Sequence, residues 1–300
     1  MPFASVFDTN AYQALSPAKL TEVVAEERRV DILPFADPWV MIELIGKLAH
    51  PDTHRHGRAA LRKMLDHCGG ESPRMVVDCE EQICTLLVGT APPYHAQTRA
   101  AIGRIAQRVA GADRAGSLED ILPVARQLHD HLKRVETERA QMVFESVVRV
   151  AVPTADSWDA IARAPAQRTQ VVEALDSGAV LRALAASEVR RAHLAVRLPV
   201  PDPIPELMID FLLRHFRYPF ELECATIRGV VERGWNLTTA GRRNAVWDAQ
   251  IAFDAGQTVE GDRTIILVTD DALFHDVAAA TSQSGVQRLT QYLHALGVAA

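Results

Sequence analysis

The run Arg263-Thr264-Ile265-Ile266-Leu267-Val268 restricts the fold more than any other part of the chain. It is apolar and β-branched and does not alternate, which is the pattern of a strand covered on both faces. Strands of that kind sit in parallel sheets with helices packed on either side. The run stops at Thr269-Asp270-Asp271 and passes into helical sequence. Near the start, Ala4-Ser5-Val6-Phe7 is a shorter apolar run that ends in Asp8-Thr9-Asn10. Residues 30–35 read as another strand, and helices are expected over 16–28 and 39–49, the second opened by Asp37-Pro38. Strand, helix, strand, helix predicts an α/β fold with a mostly parallel central sheet, its central strands drawn from the two ends of the chain. Residues 8 and 270 would then meet at one edge of the sheet, where ligands of open parallel sheets bind.

The middle of the chain reads differently. Residues 55–235 are almost wholly helical in pattern, interrupted by Gly69-Gly70, Ala91-Pro92-Pro93, Val152-Pro153 and the Pro-rich stretch 199–205. A helix over 244–255 and a last one over 285–296 are expected after it. The expected organisation is therefore a core made of 1–54 together with 236–300, with 55–235 as a helical insertion or appended bundle. Acidity is concentrated in the core segments. Residues 1–54 hold 4 Lys or Arg against 8 Asp or Glu, and 241–300 hold 4 against 7. The net charge of −6 argues against a polybasic protein that coats nucleic acid by charge alone. Cys68, Cys79, Cys84 and Cys224 form no CxxC or zinc spacing, so reduced thiols and a cytoplasmic setting are expected. The start carries no signal-peptide pattern, and no run approaches the roughly 20 apolar residues of a membrane span.

Two acids fall inside apolar helical sequence: Glu43, and Asp248, which shares a helix face with Ala245, Ile251 and Ala252. A carboxylate aimed into a packed seam is costly unless it is paired or bound to metal. Carboxylates converging from Asp8, Glu43, Asp248 and the 270–271 pair would repel one another. A hard divalent cation, Mg²⁺ or Mn²⁺, resolves that repulsion because it takes oxygen ligands. Each residue also has a plainer reading. Asp8 and Asp271 can cap the helices that follow them, and Glu43 can pair with Lys47 four residues on.

Taken together, these residues resemble the PIN-domain nucleases. The family's opening strand ending in Asp, then Thr or Ser and Asn, is matched by Val6-Phe7-Asp8-Thr9-Asn10. Its helical glutamate is matched by Glu43, and its D-A-x-I-A helix by Asp248-Ala249-Gln250-Ile251-Ala252. Its final T-x-D-x-x-F is matched by Thr269 to Phe274. The four motifs stand in the family's order and cover about a third of the chain; small PIN toxins lack a helical block of this size. The resemblance implies a PIN-like α/β/α sandwich and metal-dependent phosphodiester hydrolysis, usually of RNA. It implies Asp8, Glu43, Asp248 and Asp271 as catalytic ligands of one or two Mg²⁺ or Mn²⁺ ions, with Asp270 assisting. Thr9, Asn10 and Thr269 would orient those carboxylates. In this reading the chain is an endoribonuclease, a toxin or defence effector, with a small protein inhibitor (an antitoxin) as partner. The helical block would supply substrate selection, homodimer contacts or docking for that inhibitor. Two alternatives stay open: a PIN-like nuclease acting on structured or single-stranded DNA, and a non-catalytic PIN-fold module that binds nucleic acid or serves as a scaffold.

Arg55, Arg58, Arg62 and Lys63 follow the glutamate helix and form a candidate phosphate-gripping face, the plain alternative being a solvated helix face. His50, His54 and His56, and His129 with His131, have no suitably spaced cysteine and read as polar surface rather than zinc ligands. Trp158, Trp235 and Trp247 read as packing anchors.

Overall fold

The computed structural model describes residues 2–50, 52–70, 72–112, 119–235 and 248–299. The chain is mixed α/β, mostly helical, with a largely parallel sheet. Five strands build the sheet: β1 (Phe3–Phe7), β2 (Ile32–Phe35), β3 (Thr258–Val259), β4 (Arg263–Val268) and β5 (Val286–Gln287). Their order is β2-β1-β4-β3, with β5 also on β4. β1 pairs in parallel with β2 and with β4, in the register Phe7 opposite Val268. β5 joins β4 in parallel, and only β3 runs antiparallel. The run that does not alternate behaves as its composition dictates: Ile265 to Val268 are buried on both faces of a central strand. The two ends of the chain thus supply neighbouring parallel strands, and Asp8 and Thr269 leave the sheet at the same edge.

The described helices are α1 (Thr9–Ala14), α2 (Pro17–Arg29), α3 (Pro38–Gly46) with a 3₁₀ turn over Lys47–Ala49, α4 (His54–Cys68), α5 (Cys79–Val88), α6 (His95–Gly111), α7 (Leu122–Val150), α8 (Trp158–Arg163), α9 (Pro165–Asp176), α10 (Ala179–Ala195), α11 (Glu206–Arg233), α12 (residues 248–252), α13 (Ala272–Thr281) and α14 (Leu289–Leu296). Residues 244–247 of the expected 244–255 helix, Trp247 among them, lie outside the described residues. Where a helix was expected from 285, residues 286–287 are strand. Gly285 explains this: a Cβ there would lie 2.5 Å from the backbone nitrogen of Gly256, and its carbonyl accepts from Leu267 N at 2.8 Å. Helices expected over 205–217 and 220–233 run on as α11, broken only at Phe216 (φ −127°, ψ 34°), three residues before Pro219.

The chain divides into two units: residues 1–78, 94–133 and 254–300, and residues 79–93 with 134–253. The bounds differ from a core of 1–54 plus 236–300. α4 and α6, expected in the insertion, belong to the sheet-bearing unit. Their amphipathic faces have partners there: α4 packs on α1, α3 and β2, and α6 packs on α3 and α4. Periodicity reports that a helix buries one face; it does not report against what.

Beneath the edge where Asp8 lies is a buried polar network of the first unit. The Glu27 carboxylate accepts from Ser5 Oγ at 2.7 Å, Tyr292 OH at 2.5 Å and His67 Nε2 at 2.7 Å. His67 Nδ1 reaches Tyr12 OH at 3.0 Å. Burial disfavours a charged ring, but the adjacent Glu27 carboxylate outweighs it and pushes the His67 pKa up to about 10. The rings of Tyr12, His67 and Tyr292 surround Phe7, with centroids 4.6–5.5 Å away. The residue just before Asp8 is therefore fixed from β1, α1, α2, α4 and α14 at once.

The second unit is a helical bundle with its own core, including Ile83, Val147, Leu184, Val189, Leu212, Phe216, Phe220 and Phe253. A buried ladder of charge ties four of its helices. Arg139 of α7 pairs with Glu188 of α10 and Glu223 of α11. Arg191 pairs with Glu188 at 2.8 Å and with Glu80 of α5 at 2.9 Å. No described helix in either unit is long and apolar enough to cross a membrane.

Candidate functional site

Asp8 ends β1 and caps α1. Its Oδ1 accepts from Ala11 N at 2.7 Å, which satisfies one of the free N–H groups of the first turn. Its Oδ2 accepts from Thr269 Oγ1 at 2.6 Å, a bond made across the two neighbouring parallel strands. The side chain is only 9% exposed. Its pKa is raised to about 6, chiefly by burial, with the negative charges of Glu43 and Asp270 adding to the rise and the two hydrogen bonds opposing it.

The neighbouring groups are fixed by hydroxyls. Thr9, next in the chain, donates from Oγ1 to Glu43 Oε2 at 2.5 Å. The other carboxylate oxygen of Glu43 meets Lys47 Nζ at 3.0 Å, so the expected helical pair forms as well. Thr269 is buried; besides donating to Asp8 it accepts from Asp271 N at 3.2 Å. His275 Nε2, on α13, holds the Thr269 carbonyl at 2.7 Å. The structure thus brings Asp8, Thr9, Glu43, Thr269 and Asp270 together.

The other expected residues stand as follows. Of the Asp270–Asp271 pair, Asp270 is among the charges that raise the Asp8 pKa, while the motif spacing favours Asp271. Asp271 caps α13, its Oδ1 accepting from Leu273 N at 2.7 Å. Asp270 Oδ1 accepts from Leu289 N at 3.1 Å. Asn10 is exposed on α1. Asp248 is half-buried on α12, in the other unit, and remains a candidate on its motif alone.

The candidate phosphate-gripping face makes bonds of its own. Arg58 donates to Val109 O at 3.2 Å, and Arg62 donates to Ala110 O at 2.5 Å and to Ala112 O at 3.3 Å. Both guanidinium groups therefore serve the carbonyls at the C-terminal end of α6, which lack partners inside the helix and carry its negative dipole end. Lys63 donates to Leu15 O, at the end of α1, at 2.6 Å, and its pKa is lowered by burial. Arg55 and Arg62 are exposed, and Arg58 and Lys63 are half-buried.

A second acidic group, missed in the sequence, lies beyond the end of β2. Asp37 is buried and caps α3 through Trp39 N and Val40 N, at 2.6 and 2.8 Å. Its pKa is raised to about 6, first by burial, with the Asp78 charge adding and hydrogen bonds from the backbone and with Asp254 opposing. Asp78 in turn pairs with His95 Nδ1. The sequence signal was present, since Asp37-Pro38 opens a helix, but capping explained it fully.

Raised carboxyl pKa values set a direction for stability. Asp8 keeps its proton in the folded chain at pH values where the unfolded chain, with a value near 3.8, has lost it. The stability it contributes is complete below about pH 4 and is lost as pH rises through 6, by about 3 kcal/mol for a shift of this size. Urea denaturation of wild type and Asp8→Asn between pH 4 and 7.5 checks this: the wild-type midpoint should fall relative to the variant's as pH rises. Parallel curves would contradict it.

The ligand atoms that Asp8, Glu43 and Asp270 offer are all oxygens, which suits a hard divalent cation. The hydrogen bonds to Asp8 use one lone pair on each oxygen and leave others for a ligand. No family model, no curated protein and no solved structure matches the chain.

Proposed function

We propose that the chain is a PIN-like, metal-dependent phosphodiesterase, an endoribonuclease with Mg²⁺ or Mn²⁺ as its cofactor. The observation that carries this reading is Asp8. A buried carboxylate at the end of a parallel strand, pressed by two further negative charges, is held against its own electrostatics by the Thr269 hydroxyl and the Ala11 N–H. Asp8, Glu43 and Asp270 would hold the ion. When bound, such an ion lowers the pKa of a water and offsets the charge that builds on the scissile phosphate.

The protein's own groups do the positioning. Thr269 fixes the Oδ2 face of Asp8, and Thr9 fixes the Oε2 face of Glu43. Lys47 neutralises the remaining Glu43 oxygen and must yield it when a cation arrives. His275 holds the backbone that presents the Thr269 hydroxyl. The biological setting that accompanies this reading is a toxin or defence effector acting in the cytoplasm and restrained by a small protein inhibitor.

The test is cleavage of end-labelled RNA and matched DNA with Mn²⁺, with and without EDTA. Internal, EDTA-sensitive cuts in RNA are expected. Cuts confined to DNA would transfer the reading to a DNA nuclease. Inertness on both, with no Mn²⁺-dependent rise in Tm, would favour a non-catalytic scaffold. Thr269→Val, which removes the hydroxyl and keeps the shape, should lower the Mn²⁺-dependent rate by about 10–100-fold, the usual effect of losing a group that orients a metal ligand. An unchanged rate would remove Thr269 from the machinery.

A further inference from the structure

His50 and His129, 79 residues apart, place their Nε2 atoms 3.1 Å from one another. Their rings are nearly perpendicular, at 81°, with centroids 4.7 Å apart. Both residues belong to the sheet-bearing unit. His50 sits just after the 3₁₀ turn, and its backbone is fixed: its carbonyl accepts from Thr53 N and His54 N, at 3.2 and 3.0 Å, and Thr53 Oγ1 donates to Lys47 O at 2.7 Å. His129 comes from α7 and lies against Gly46, which has no side chain to intervene. The two Nε2 atoms share one hydrogen bond, so one ring already turns a lone pair to the other, and the second ring frees its own when its hydrogen moves to Nδ1.

We propose a second ion site here, for a borderline transition metal such as Zn²⁺ or Cu²⁺, clipped between His50 and His129. At Zn–N distances of about 2.0–2.1 Å, tetrahedral geometry sets two ligating nitrogens about 3.3 Å apart, within a few tenths of the spacing found. Imidazole suits Zn²⁺, Cu²⁺ and Ni²⁺, whereas the all-oxygen donors around Asp8 suit Mg²⁺ and Mn²⁺. The two sites therefore select different ions. Water fills the remaining positions, since His50 is exposed. An ion at this site ties the segment after α3 to α7.

The site stands independently of the nuclease reading, and its test keeps the two apart. Thermal melts of the full chain are run with Zn²⁺, and Cu²⁺ electron paramagnetic resonance is recorded, for wild type, His50→Gln, His129→Gln and Asp8→Asn. Zn²⁺ should raise the Tm of wild type and of Asp8→Asn, because it binds the native state. Each histidine variant should bind Zn²⁺ at least about tenfold more weakly, a difference of about 1.4 kcal/mol. The Cu²⁺ spectrum should report two imidazole nitrogens in wild type and one or none in the variants. Zn²⁺ affinity in His129→Gln within about twofold of wild type, or no binding at about 1 mM Zn²⁺, would overturn the proposal.

Discussion

Asp8→Asn is expected to abolish Mn²⁺-dependent cleavage and, in metal-free buffer near neutral pH, to make the protein more stable by about 1–3 kcal/mol. The two effects have one cause. Burial and the charges of Glu43 and Asp270 work against an ionised Asp8, whose pKa stands near 6. An amide removes that penalty. It keeps the structural duties, because asparagine caps helices as well as aspartate does. Its Oδ1 can still accept from Ala11 N, and its Nδ2 can donate to Thr269 Oγ1 once that hydroxyl turns round. The activity loss should exceed about a hundredfold, since removal of groups that merely orient metal ligands already costs about 10–100-fold. Rates on RNA and urea midpoints measured on the same samples check both halves. A variant that loses activity and also several kcal/mol of stability would mean that the carboxylate is there for the fold.

Glu27→Gln is expected to have the largest destabilising effect, about 3–5 kcal/mol, because it strands a buried imidazolium. Glu27 accepts three hydrogen bonds, from Ser5, Tyr292 and His67. A glutamine side chain oxygen keeps fewer of them, and its NH₂ faces donors. The pH dependence carries a sign. His67 has its pKa raised to about 10 from an ordinary value of 6.5, so its contribution is complete below about pH 6.5 and is lost as pH climbs through 10. The gap between wild type and Glu27→Gln should therefore be widest near pH 6.5 and should close towards pH 10. Denaturant midpoints at pH 6.5, 8 and 10 measure it. A loss below about 1 kcal/mol at pH 6.5 would mean that the network does not clamp the Phe7 end of β1.

Strands β1, β2 and β4 were legible because their signals are local. A β-branched run without alternation reports burial on both faces, and the Asp8 and Asp270 strand ends follow from parallel pairing of β1 and β4. The Thr269–Asp8 bond was not legible, since a threonine after a strand has many uses and its partner lies 261 residues away. The bonds of the basic face were illegible for a reason that generalises. Arg58 and Arg62 look like a solvated or phosphate-binding face from their spacing, but the carbonyls they serve lie about fifty residues downstream, at the end of α6. The His67–Glu27 pair was invisible for the same reason: its partners are 40 residues apart and meet only through packing. His50 and His129 likewise lie in separate histidine groups, neither of which suggests a site alone. The unit bounds differ from the expected ones because α4 and α6 advertise an apolar face without naming its partner.

Calorimetric titration of the metal-free chain with Mn²⁺, beside Asp8→Asn, tests most directly whether this edge of the sheet is a cation site. Saturable Mn²⁺ binding in wild type, with proton release at pH 6 where Asp8 is partly protonated, and its loss in the variant are the predicted results. Identical isotherms for the two proteins would contradict the account.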